Sequence, residues 1–167
     1  MSELVRRIDR ARWDTDEADS DEFFSADAIT CDLKTTQNAL SVWEVGSVDQ
    51  SGQAVLAMVA QFKDIADAID VVLLSPEYLY ENGIEYAYCS GLTPVKDLVE
   101  THVDVTDLTY VKLGVVARHI RSRISANHWR RYTLEEQVSL LRQAIGDKRL
   151  SLESVNKNYR RLIQGST

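Results

Sequence analysis

Cysteine is scarce in this chain. Cys31 and Cys89 are the only two in 167 residues, too few for a disulfide framework and without the spacing of a metal site. Free thiols in a reducing compartment are therefore expected. Two prolines and seven glycines leave no flexible linker, and no segment repeats, which excludes solenoid and collagen-like organisation. The longest unbroken apolar run, Ala54 to Ala60, covers 7 residues. That is far short of the roughly 20 a helix needs to cross a bilayer, and no signal-peptide pattern follows Met1. A soluble, cytoplasmic protein without a membrane partner is the expectation. A serine nucleophile elbow, a phosphate-binding glycine loop and a Cys/His zinc pattern are also missing, so the hydrolases, nucleotide-binding proteins and zinc modules defined by those motifs fall away. No cofactor and no metal are expected.

What is present fits a globular chain folded around one core. Hydrophobic residues make up 44% and charged residues 27%, near the averages for folded domains. The net charge of −7 conceals an asymmetry: residues 1–116 carry 8 Lys or Arg against 22 Asp or Glu, and residues 117–167 carry 11 against 4. The two parts either pack on each other or meet partners of opposite sign. The densest acidic stretch is Asp14, Asp16, Glu17, Asp19, Asp21 and Glu22, which mutual repulsion should hold extended. Its spacing faintly resembles a calcium loop, but the glycine and the bidentate glutamate of such a loop are missing.

Periodicity predicts a strand over 39–45, a helix from about Gln53 to Asp67, a strand over 70–74 and another over 84–89. Strand, helix and strand in that order imply a parallel crossover. Thr93-Pro94 opens a helix to about Glu100, His102 to Val105 reads as a short strand, and Asp107 can cap a longer helix. Thr133-Leu-Glu-Glu136 is a capping box, and Ser151 can cap a last helix carrying Leu152, Val155, Tyr159 and Leu162. The expected fold is α+β or α/β, with a small mixed sheet of three or four strands covered by helices. An acidic body over 1–125 is followed by a basic C-terminal helical hairpin over 126–167, packed on the body or on a partner.

Four groups of residues invite a chemical reading. Arg118, Arg121, Arg130 and Arg131 lie in a basic cluster with Trp129, a nucleic-acid signal opposed by a sequence pI near 5.0. Asp32-Leu33-Lys34 has the Asp-x-Lys form of metal-dependent nucleases, but the preceding acidic strand residue such sites need is not evident, and a Lys closing a helix C-terminus is the plainer account. Cys89 can act as a nucleophile if His102 or His119 comes near it in space; a buried free cysteine is the plainer account. Tyr78, Tyr80, Tyr86 and Tyr88 suit a partner face as well as sheet packing.

Absence of a catalytic motif favours a small macromolecule-binding module over an enzyme. It would act through the acidic residues Asp14, Asp16, Glu17 and Asp19 or through the basic cluster, with a protein partner expected first. An accessory or neutralising subunit of a bacterial toxin or defence system would suit this size and charge. The alternatives are nucleic-acid binding through Arg118, Arg121, Arg130 and Arg131, a metal-dependent nuclease or phosphodiester hydrolase using Asp32 and Lys34, and, for the assembly, a homodimer.

Overall fold

The computed structural model describes residues 2–14 and 25–165. Within them, one open sheet is built from β1 (Glu3–Ile8), β2 (Leu40–Val45), β3 (Ala68–Leu74), β4 (Tyr86–Tyr88), β5 (His102–Val105) and β6 (Trp129–Thr133). The strand order is β4-β5-β2-β1-β3-β6, and every neighbouring pair is antiparallel. The helices are α1 (Ser51–Val59), α2 (Pro76–Glu81), α3 (Tyr110–Ser125), α4 (Leu134–Gly146) and α5 (Lys157–Gln164). The protein is thus α+β, and none of its described helices is long and apolar enough to cross a membrane.

Alternation along the strands divides the core in two. Val5, Trp43, Val45, Ile69, Val71 and Tyr132 face α1, α4 and α5. Leu4, Ile8, Leu40, Val42, Val72, Leu74, Val103 and Val105 face the layer containing Leu79, Ile84, Val116 and Ile120. A sheet covered on both faces needs apolar groups on both, which is why β2 and β3 read as nearly continuous hydrophobic runs.

The structure corrects several expectations. The sheet has six strands, all antiparallel, in place of three or four mixed ones. The predicted crossover from β2 through α1 to β3 joins two strands that are parallel to each other but not adjacent, because β1 lies between them and pairs with both. Helix α1 ends at Val59, not Asp67. Phe62 and Ala66 still pack on the core from the following loop, where their carbonyls accept from Asn156 Nδ2 at 2.9 Å and Gln137 Nε2 at 3.2 Å. Helical spacing of apolar residues there reflects that packing.

The capping box of α4 is present: Thr133 Oγ1 accepts from Glu136 N at 3.2 Å, and Glu136 Oε2 accepts from Thr133 N at 2.8 Å. Such a cap is worth about 1 kcal/mol. The last helix starts later than Ser151: residues 152–154 form a single 3-10 turn, and Asn156 caps α5 through Asn158 N and Tyr159 N. Tyr159 is fully buried and donates its hydroxyl to Gln137 Oε1. Through Leu141, Ala144 and Tyr159, α4 and α5 join the same core as α1. Residues 129–133, within the stretch expected to be a hairpin, instead form an edge strand on β3.

Candidate functional site

Strands β1 and β2 pair only from Glu3↔Val45 to Val5↔Trp43. Beyond that point they part: Arg6 to Ile8 continue along β3, while Leu40 to Val42 pair with β5. A backbone carbonyl left without a ladder partner must find another donor. Arg6 supplies it, donating Nη1 to Ser41 O at 2.8 Å, and Nε and Nη2 to Asp32 O at 3.0 and 2.6 Å. Burial holds the Arg6 pKa down to about 10, with Asp32 opposing the shift and Arg7 adding to it; the guanidinium stays charged at neutral pH.

Asp32 closes a π-helical turn, Ala28–Asp32, at the bottom of this gap. Its Oδ1 accepts from Arg12 Nη1 at 2.7 Å, and its Oδ2 accepts from Asp9 N at 2.9 Å and Trp13 Nε1 at 2.8 Å. On the other side of β1, Asp70 is likewise buried and takes a bidentate guanidinium, Arg131 Nε at 2.8 Å and Nη2 at 2.7 Å. The pair is a direct cross-strand partner set, Asp70↔Arg131.

Around this gap lies a cleft of about 1000 Å3. Arg6, Arg7, Asp9 and Arg12 line its centre, Asp67, Asp70 and Arg131 one end, and Ser41, Trp43, Ser90, Leu92 and His102 the other. Its walls therefore come from β5, β2, β1, β3 and β6 in turn. Arg7 is exposed at the rim, with its guanidinium over the Phe62 ring at 4.9 Å. Leu92 is 89% exposed at the cleft.

At the His102 end stands a second cluster. Register carries β4 and β5 on so that Cys89 N donates to His102 O at 3.1 Å, setting the two side chains opposite each other. Cys89 Sγ lies 3.0 Å from His102 Nδ1, so of the two histidines considered from sequence it is His102 that meets the cysteine. Asp104, two residues along β5, takes the Ser41 hydroxyl on its Oδ1 at 3.0 Å. Burial, and then the nearby Asp104 carboxylate, raise the Cys89 pKa, while burial lowers that of His102. Both are neutral at pH 7, which is the opposite of the thiolate and imidazolium of an activated cysteine nucleophile.

The remaining candidates are dispersed. Lys34 is exposed, and its neighbour Asp32 has its carboxylate occupied by three donors that a magnesium ion would have to displace. Arg121 is buried and donates to Trp13 O, whereas Arg118, on the same helix, is exposed. Arg130 lies over Tyr132 at 4.5 Å and pairs with Glu136 at 3.1 Å. Of the acidic run, Asp14 pairs with Arg10; Asp16, Glu17, Asp19, Asp21 and Glu22 lie outside the described residues. The Tyr88 hydroxyl donates to Glu44 Oε2 at 2.7 Å, a bond that with burial pushes its pKa up to about 12. Sequence reasoning missed Arg6, Arg7, Arg12 and Asp70 as cleft residues. No local motif marks them, because three separate chain segments bring them together.

Comparison with protein-family models, with curated proteins and with solved structures gives no match.

Proposed function

We propose that the protein is a binding module and that its cleft receives an extended segment of a protein partner. The observation that carries this reading is the lining of the cleft, which draws residues from five adjacent strands. Five strands about 4.8 Å apart span about 19 Å, the reach of roughly six residues of extended chain at about 3.3 Å each. Its volume stands at the upper end of what a small ligand fills, about 1,000 Å3. Its lining mixes both charge signs with Leu92, Trp43 and Met58, as a peptide with alternating side chains requires. The basic residues 118–131 favour nucleic acid less, since Arg121, Arg130 and Arg131 are engaged within the fold.

Selection from a random peptide library tests the reading. The full chain should enrich a family of short linear peptides, and Arg7→Glu combined with Leu92→Glu should weaken their binding at least tenfold without lowering the melting temperature. Failure to enrich any peptide, or peptides that bind the double variant equally well, would refute the assignment of the cleft.

A further inference from the structure

We propose that Cys89, His102 and Asp104 form a zinc site, with Sγ, Nδ1 and one carboxylate oxygen as its three protein ligands. The inference does not depend on what the cleft binds.

The three ligand atoms all lie within 4.8 Å of one another. The sheet sets that proximity: Cys89 and His102 oppose each other across β4 and β5, and Asp104 shares the face of His102 by the two-residue period of a strand. Ala87, with its small side chain, is the residue opposite Asp104. On tetrahedral zinc, with bonds of about 2.3 Å to sulfur and 2.0 Å to nitrogen, those two atoms stand about 3.5 Å apart. The observed 3.0 Å between Sγ and Nδ1 means the pair need open only slightly to admit the ion.

The donor set selects the metal. Sulfur, imidazole nitrogen and carboxylate oxygen together suit zinc, whereas magnesium and calcium require oxygen throughout. On binding zinc the Cys89 thiol loses its proton to solvent, and with a thiolate and a carboxylate the complex is neutral, which lessens the cost of holding it half-buried. Three protein ligands leave the fourth position to water or to a group from the cleft, on which His102 borders.

The surroundings are built to hold the ligands in place. The His102 ring meets Trp43 edge to face at 4.9 Å. Gly91 lets the following segment close over both: a Cβ there would lie 2.6 Å from Trp43 Cη2 and 3.0 Å from His102 Cβ. Ser41 fixes the Asp104 carboxylate through its hydroxyl, as outer-shell donors do in zinc sites.

Cobalt(II) is the probe, because a thiolate ligand gives it a charge-transfer band and tetrahedral coordination gives it intense visible bands. The reduced full chain should take up one equivalent of cobalt with both signatures, and zinc should displace it. Cys89→Ser should abolish the charge-transfer band while Cys31→Ser leaves it unchanged. Ser41→Ala should weaken binding by about tenfold or more, an outer-shell effect. Asp104→Asn should weaken it further, and the melting temperature of each metal-free variant reports whether it folds. No charge-transfer band at stoichiometric cobalt, a band that survives Cys89→Ser, or unchanged affinity in a folded Asp104→Asn would each overturn the site.

Discussion

Asp32→Ala should destabilise the protein by about 3–5 kcal/mol, the range for removing one member of a buried, charge-assisted cluster. The carboxylate accepts from a guanidinium, an indole N–H and a backbone N–H, and the side chain is only 6% exposed. Truncation removes the acceptor of Asp9 N and of the indole N–H of Trp13, whose ring is fully buried, while Arg12, 36% exposed, keeps its pair with Asp9. Unpaired buried donors cost about 1–3 kcal/mol each, so the loss exceeds that of any single hydrogen bond. Lys34→Ala, at an exposed position, should change stability by less than about 0.5 kcal/mol. Urea unfolding of the two variants checks the contrast. Equal midpoints would show that the Asp32 cluster does not hold the π-helical turn against β1.

The second large effect is a loss of stability on acidification that depends on His119. Its ring is buried and stacked on Tyr78 at 4.0 Å, and its Nε2 accepts from Ser75 N at 3.0 Å, so the folded protein holds it in the neutral form. Burial, and after it the Arg123 charge, lower its pKa to about 4. In the unfolded chain the same imidazole titrates near 6.5. Between those values the unfolded state binds a proton that the folded state refuses, so stability falls as pH drops from about 6.5 to 4 and is unaffected above. The full difference is about 3 kcal/mol. His119→Gln offers an acceptor for Ser75 N but no titrating ring. The stability difference between wild type and His119→Gln should therefore shift against wild type by up to that amount between pH 7 and pH 4. Parallel pH profiles would contradict the assignment.

Where structure is fixed by residues close in sequence, the chain could be read directly. The capping box of α4 needs only Thr133 and Glu136, β2 and β3 announce themselves by apolar runs, and β5 by the alternation of Val103 and Val105 with polar residues. Strands β1 and β6 could not be read that way. Arg6 and Arg7 interrupt the apolar pattern of β1, and Arg6 is tolerated only because Ser41 and Asp32, far along the chain, accept its hydrogen bonds. Arg130 and Arg131 made β6 resemble a nucleic-acid patch, yet they decorate an edge strand and find Glu136 and Asp70. The cleft was invisible for the same reason, since it exists where two strands part. Sequence alone leaves His102 and His119 both open as partners of Cys89, and only the register of β4 on β5 decides for His102.

The most direct test of the cleft as a binding site is amide chemical-shift mapping on the labelled full chain with a library-selected peptide. Shifts should concentrate at Arg6 to Asp9, Ser41, Ala68 and Ser90 to Leu92, the walls on either side of the parted strands. Shifts confined instead to Tyr110 and Val111 or to Arg118, on the surface of α3, with the β1 and β2 amides unmoved, would contradict it.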